Sequence, residues 1–271
     1  MTQSAKSISD AILPDRYSRN ARLYPALLVI LPVAICAVLL AKVELSWINT
    51  LYAGLTAIGG TYLFAQLARD PGKKREKQLF AKWGGMPSVT ILRHQDTRID
   101  PITKARYHER LCALVVGTTA PSAESERVDL AAADVCYTAW STHLRNSTRD
   151  QKRFSLIFDE LVSYGYRRNV LGLRPIGLFL SALCGIAAAG LAWFKFHHQH
   201  EIGGSVWASL AVAIVFLLFW TFIVTPEWVQ LIAESYAARL IEAVDGLHDD
   251  LTKAKAVAKK SDDRTKSTTR G

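Results

Sequence analysis

Four long apolar blocks alternate with polar segments along this chain. They occupy residues 23–41, 47–67, 176–194 and 206–224, and none has an Asp, Glu, Lys, Arg or His in its interior. Each is long enough to cross a bilayer, which needs about 20 apolar residues in a helix. The pattern predicts an all-α membrane protein with four transmembrane helices, arranged as two hairpins that flank a mainly helical cytoplasmic domain. A soluble globular enzyme and a disulfide-stabilised secreted domain are excluded.

Basic residues are distributed very unevenly between the polar segments. Of the 33 Lys and Arg residues, four lie in residues 1–22, 19 in residues 69–174 and eight in residues 239–270. Short polar segments rich in Lys and Arg stay in the cytoplasm, so both termini and the central segment are predicted to be cytoplasmic. The first block is too long for the core of a signal peptide and is predicted to be a retained anchor. We therefore expect a multi-pass protein of the cell inner membrane.

These features divide the chain into six segments. They are a cytoplasmic N-terminal segment (1–22), transmembrane hairpin 1 (23–68), a basic helical cytoplasmic domain (69–174), transmembrane hairpin 2 (175–225), a cytoplasmic amphipathic helix (226–258) and a disordered tail (259–271). The net charge of +9 comes largely from the central domain. Because Lys73, Lys74, Arg75 and Lys77 directly follow a span, this charge favours contact with the lipid bilayer over nucleic acid.

Helix signals recur through the central domain. Asp70-Pro71 and Asp100-Pro101 each resemble a cap followed by a first turn, and predict helices to Lys82 and to Val116. Between them, the β-branched residues of 86–92 favour a short strand or an extended linker. A helix over 126–144 and another over 149–166 follow. Apolar residues spaced three and four apart predict their buried faces: Val128, Ala131, Ala132, Val135 and Ala139 on the first, and Phe154, Ile157, Phe158 and Leu161 on the second.

Beyond the fourth span, an apolar stripe follows a heptad spacing. Its members are Ala233, Ala237, Leu240, Val244, Leu247 and Leu251. This spacing is typical of a coiled-coil seam between copies of a chain, or of a helix packed onto its own domain. Both a homo-oligomer and intramolecular packing are consistent with the stripe.

The densest run of polar residues lies at 93–109. Its candidate ligand-binding residues are Arg93, His94, Asp96, Arg98, Lys104, Arg106 and His108. Lys104 and His108 are four apart near a predicted helix start, whose free amides attract phosphate, so a phosphorylated signal molecule is a candidate ligand. The alternative is a polar loop with ordinary surface salt bridges.

Sequence motifs for catalysis and cofactors are missing from the chain. No P-loop, dinucleotide fingerprint or nucleophile elbow occurs, so we predict no catalytic residue and no cofactor. The sequence favours a protein that is not an enzyme, although a membrane enzyme using the 93–109 cluster stays an alternative. The four cysteines include no C-x-x-C pair, and the outer loop at 197–201 is read as a loop without a metal.

Small residues recur along the third span. Gly177, Ser181, Gly185 and Ala189 are each four apart, so they share one helix face. Such a face lets transmembrane helices approach closely, and we predict that it packs against another helix. The spans contain no interior charge, which argues against an ion-coupled carrier or a voltage sensor.

The arrangement of two hairpins around a basic cytoplasmic helical domain resembles the four-transmembrane effector proteins of bacterial nucleotide-signalled defence systems. The resemblance implies a cytoplasmic domain that senses a signal and membrane helices that associate to perturb the bilayer. A second hypothesis is a membrane anchor or scaffold for a cytosolic protein partner, for which a helical domain and the C-terminal stripe suffice.

Overall fold

The computed structural model describes residues 15–41, 60–198 and 200–268, and within these ranges the chain is helical without strands. The described residues form ten α-helices. The first five are α1 (Arg16–Ser18), α2 (Tyr24–Ala41), α3 (Gly60–Lys82), α4 (Pro87–Thr90) and α5 (Pro101–Leu114). The other five are α6 (Ala123–Val128), α7 (Leu130–Ser147), α8 (Ser155–His197), α9 (Gly204–Leu218) and α10 (Pro226–Thr268). Two π-helical turns, Arg19–Leu23 and Phe219–Ile223, join α1 to α2 and extend α9.

The chain divides into two compact units. The membrane unit comprises Met1–Leu79 and Leu161–Ile232, and the helical domain comprises Phe80–Glu160 and Ala233–Gly271. Within the described residues, three helices are long and apolar enough to cross a membrane: Arg16–Leu40, Ser155–His197 and Gly204–Ile223. They include the first, third and fourth predicted spans.

The second predicted span, 47–67, lies largely outside the described residues. Its last residues, from Gly60, belong to α3. The fourth crossing and the two-hairpin layout therefore stay predictions.

Three of the apolar helices pack together in the membrane unit. Cys36 of α2, Cys184 of α8 and Ala213 of α9 form one buried cluster. The Cys36 thiol also lies 3.8 Å from the backbone oxygen of Ser209. Small side chains at these positions allow the helices to approach each other closely.

The structure buries part of the predicted small-residue face of α8. Gly177 and Ser181 are buried and Gly185 is half-buried, but Ala189 is exposed and Ala188 takes the buried place. A strict spacing of four drifts around a helix of 3.6 residues per turn, so the fourth member leaves the contact. A Cβ atom at Gly177 would overlap the Trp220 ring, whereas one at Gly185 would make an ordinary 3.5 Å contact with Ala213.

Two predicted boundaries in the central segment are wrong. Pro71 lies inside α3 and does not start a helix, because the helix is already formed from Gly60. The helix predicted to end at residue 166 continues as α8 through Pro175 to His197. A proline removes one backbone hydrogen bond, and neighbouring contacts can offset this loss inside a packed bundle.

The segment 86–92, predicted as extended, forms the short buried helix α4 against α7. Pro87 stands in its first turn, where a missing amide costs nothing. The preference of β-branched residues for strands depends on a neighbouring strand, and the described helical domain has none.

The buried face predicted for the helix at 126–144 is also wrong. The segment is split by Asp129 into α6 and α7, and Val128 and Val135 are 84% and 72% exposed. Ala131, Ala132 and Ala139 are exposed as well. The residues that enter the core are Ala133, Tyr137, Trp140, Ser141 and Leu144. Burying large aromatic and leucine side chains removes far more apolar area from water than burying alanines does.

Two other predictions for the helical domain are confirmed. Helix α5 starts at Pro101 with Asp100 as its cap. The C-terminal stripe packs inside its own domain, where Ala233, Ala237, Leu240 and Val244 are buried. Intramolecular packing thus accounts for this part of the stripe. Helix α10 continues to Thr268, where a disordered tail was predicted from 259, because extending an existing helix avoids the cost of nucleation.

We expect Gly177→Ala to destabilise the membrane unit by about 1–3 kcal/mol, since the new methyl group meets the rigid Trp220 ring. Gly190→Ala is the matched control, because a Cβ atom there has open space around it. It should leave stability unchanged or raise it by up to about 1 kcal/mol. Melting curves of both variants in the same detergent measure the difference. Equal melting temperatures would contradict the close helix contact.

Candidate functional site

The predicted polar cluster lies in the helical domain, where the loop between α4 and α5 meets α5, α6 and α7. The structure brings six of the seven predicted residues together: Arg93, His94, Asp96, Arg98, Lys104 and His108. Arg106 stands apart on the surface of α5 and lies 3.4 Å from Asp245 of α10. The cluster therefore exists. Arg93, Lys104 and His108 are buried in the domain, whereas His94 and Arg98 are exposed at its surface.

Arg93 is buried, and its guanidinium group bonds to two parts of the domain. Its guanidinium donates two hydrogen bonds to the Asp134 carboxylate, at 2.9 and 2.6 Å, and a third to the backbone oxygen of Gly84 at 2.9 Å. The bonds to Asp134 raise the pKa of Arg93 in spite of its burial. This fork geometry fixes the loop against α7 and the end of α3.

Lys104 is a buried cation held by backbone oxygens. Only 3% of the residue is exposed, and its ammonium group donates to the carbonyls of Arg93, at 2.7 Å, and Asp96. Burial lowers the pKa of Lys104, and the carboxylates of Asp96 and Glu126 oppose that shift. The side chain thus closes the 93–96 turn from inside the domain and is turned away from solvent.

Glu126 is a central residue of the cluster that sequence reasoning missed. It is 3% exposed and accepts hydrogen bonds from the His94 amide at 2.9 Å, from the Tyr137 hydroxyl at 2.7 Å and from the Gln95 amide at 3.4 Å. Burial alone would raise the pKa of Glu126, but these donors outweigh it and hold the pKa below its ordinary value. A carboxylate satisfied by three donors anchors the loop to α7.

A signal for Glu126 exists in the sequence. It stands seven residues before Ala133, and the buried positions then continue at Tyr137, Trp140 and Leu144 with spacings of four, three and four. An acid in register with an aromatic stripe is a candidate for a buried, paired carboxylate. Asp134, the partner of Arg93, gives no comparable signal because it lies beside the stripe.

His108 occupies an aromatic box. Its Nε2–H donates to the Leu92 carbonyl at 2.8 Å, and its ring lies 5.0 Å from His94, 5.5 Å from Tyr137 and 5.3 Å from Trp140 between centroids. Burial lowers the pKa of His108, so the neutral ring is favoured near neutral pH. A neutral, buried imidazole that already donates to a carbonyl serves packing better than it serves anion binding.

The helix start that could have held a phosphate is already occupied. The Asp100 side chain accepts from the amides of Ile102, at 3.1 Å, and Thr103, at 2.9 Å. Asp96 is likewise bonded by the Arg98 guanidinium and backbone amide. The helix-start amides and the Arg98 guanidinium thus have carboxylates of the same chain as partners, and Lys104 has backbone carbonyls.

A small cavity of about 190 Å³ lies beside these groups, lined in part by His94, Asp96, Asp100 and Lys104. Ligand pockets for nucleotide-sized molecules are about 300–1,000 Å³. Two carboxylates on its wall also disfavour a phosphate. Among the described residues, no group of three or more His, Cys, Asp or Glu is placed to hold a metal ion.

A second, larger depression lies along α6 and α7. This groove of about 700 Å³ is lined by the loop at 119–122 and by residues of α6 and α7 that include Glu124, Val128, Asp129 and Ala132. The charged residues among its lining are both acidic. It adjoins the exposed face of α7 that sequence reasoning assigned to the core.

Comparisons with known proteins return no relative: no family model, no curated protein and no solved structure matches this chain.

We expect Lys104→Met to lower the free energy of unfolding by about 1–3 kcal/mol, because two backbone oxygens lose a buried charged donor. Arg106→Met, two residues away on the exposed side of α5, should stay within about 0.5 kcal/mol of the parent. Melting curves of the purified variants measure both. Equal stability of the two would contradict the internal role of Lys104 and favour an accessible site.

Proposed function

We propose that this chain is a non-catalytic, multi-pass membrane protein whose helical domain binds another protein chain along the outer face of α6 and α7. The observation that carries the proposal is the exposure of Val128 and Val135 next to the 700 Å³ groove. Large exposed apolar side chains beside a groove are typical of protein-binding surfaces. The neighbouring Ala131, Ala132 and Ala139 would let a helix approach α7 closely.

The state of the polar cluster supports a role without catalysis. A general base or nucleophile needs a group that can reach substrate. The charged and imidazole groups of the 93–109 cluster described above instead bond to carboxylates or carbonyls of the same domain. The burial of Arg93, Lys104 and His108 fits a core that holds α5, α6 and α7 together. The cluster therefore lends less support to the enzyme and phosphorylated-ligand alternatives.

A signal-responsive effector that perturbs the bilayer is a second candidate. It is favoured by α8, a single 43-residue helix whose first residues belong to the helical domain and whose remainder belongs to the membrane unit. A helix shared in this way offers a route from partner binding to the membrane. The architectural resemblance to bacterial defence effectors points to the same function.

We also propose an inner-membrane location with cytoplasmic N- and C-termini. The support is the bias of basic residues toward 1–22, 69–174 and 239–270. Reporter fusions after Lys82, after Leu144 and at the C-terminus should all give a cytoplasmic signal, and an insertion at His198 an external one. An external signal after Leu144 would reverse the assignment of the helical domain.

Photo-crosslinking tests the binding surface directly. A benzophenone amino acid at Val135 should give a protein adduct in cells, because this side chain is exposed on the outer face of α7. The same probe at Lys152, an exposed residue of the helical domain, is the control and should give little adduct. The measured quantity is the ratio of adduct yields after equal irradiation.

Three results discriminate between the candidates. Equal yields at the two positions, or no adduct at either, would contradict a binding surface on α6 and α7. An adduct without loss of membrane potential on overproduction favours the scaffold. Loss of membrane potential that disappears with Val135→Glu favours the effector.

A further inference from the structure

The C-terminal part of α10 leaves the core of the helical domain as an exposed helical extension. Every side chain from Thr252 to Lys260 is exposed, whereas Leu247 and Leu251 just before it are half-buried. The extension has four lysines, Lys253, Lys255, Lys259 and Lys260, and no acidic residue. It is thus a short cationic helix.

This extension has an apolar side of its own. Ala254 follows Leu251 by three residues and so continues the heptad stripe of α10 beyond the buried part. Val257, three residues further, is 70% exposed. A helix with a small apolar side flanked by lysines has the chemistry of a segment that docks into an apolar groove with an acidic rim.

The groove beside α6 and α7 has that complementary chemistry. Val128 and Ala132 supply apolar surface, and Glu124 and Asp129 supply negative charge. Asp129 is fixed as the cap of α7, where its side chain accepts from the Ala132 amide at 2.9 Å. Opposite charges on the two surfaces steer their encounter and set the orientation of the bound helix.

We propose that the groove of one chain binds the α10 extension, residues 252–260, of a second copy of this chain. This inference rests on the proposed function and names the partner of that surface. The extension is exposed in its own chain, so it is available to a neighbour. Two copies can exchange extensions reciprocally, which gives a closed, symmetric pair with two identical contacts.

The membrane makes a small contact sufficient. A nine-residue helix buries less area than a stable interface between freely diffusing proteins. Two chains anchored in one bilayer are confined to a plane. The second of the two reciprocal contacts forms within a complex that the first contact has already made. The effective concentration of each extension near its groove is therefore high. We therefore expect a reversible dimer that weakens when the protein is diluted in detergent.

The benzophenone probe at Val135 tests the identity of the occupant in the full chain, purified in detergent and in cells. We expect an adduct with twice the mass of the chain, and mass spectrometry of its peptides should map the second site to residues 252–260. Ending the chain after Leu251 should abolish this adduct. The melting temperature should stay unchanged, because the removed side chains at 252–260 are exposed.

A charge exchange checks the orientation. Glu124→Lys should lower the yield of the dimer adduct by about threefold through repulsion of the lysines, and Glu124→Lys combined with Lys255→Glu should restore it. Glu109→Lys, a reversal at an exposed acid on α5, is the matched control and should leave the yield unchanged.

Each other outcome has a definite meaning. An adduct to a different protein in cells, without a dimer adduct, would overturn the second-copy inference and leave the proposed binding function standing. A dimer adduct that maps outside 252–260, or that survives the truncation, would also overturn the inference. Lack of a protein adduct at Val135 would overturn both.

Discussion

Close approach of neighbouring elements at three glycines of α8 is the constraint on which the membrane unit depends. A Cβ atom at Gly165 would come within 2.7 Å of the Tyr17 hydroxyl in α1, and one at Gly172 or Gly177 would overlap Gly72 of α3 or the Trp220 ring. Each glycine thus admits a different neighbour to the same helix. Gly177 lies in the predicted span, where helices associate through such close packing because hydrophobic burial gives no preference for protein over lipid.

The polar residues between these glycines complete the contact. Asn169 donates to the Ala21 carbonyl at 2.6 Å, and Arg174 donates to the Thr221 carbonyl at 3.1 Å. Both carbonyls belong to π-helical turns, whose wider spacing disrupts the regular backbone bonding. The segment 165–177 therefore combines close packing with donors for two irregular turns. A third contact is the buried pair of Arg168 and Glu76 at 2.9 Å, whose disruption would leave an uncompensated charge.

The sequence predicts the three long apolar helices of the described residues, because their signal is a sum over some twenty residues. It also predicts the α5 cap and the α10 stripe, where one residue type or one spacing dominates. It predicts the face of α7 wrongly, since both sides of that helix have apolar residues at helical spacing. Which side is buried depends on the large size of Tyr137 and Trp140 and on the residues that pack against them. A spacing pattern contains neither kind of information.

The polar residues of the candidate site show the same limit of prediction from sequence. Sequence proximity groups Arg93, His94, Lys104 and His108 correctly, but gives no indication that all of them except His94 are buried. Their partners, Asp134 and Glu126, are more than 30 positions from Arg93 and His94 along the chain. Only the fold reveals that the charges are already paired. Composition alone therefore overstates how much of this basic segment is available to a ligand.

The two sides of α7 have opposite physical roles, and this contrast carries the functional argument. The inner side combines Tyr137 and Trp140 with hydrogen-bond partners, and such a satisfied network tolerates little rearrangement. The outer side has valine and alanine side chains, which have no polar group that a neighbour must hydrogen-bond. A rigid helix with a small, uncharged outer side is suited to reversible association with another helix. Binding there would require no change in the core, so association in the plane of the membrane can be weak, repeated and independent of the stability of the domain.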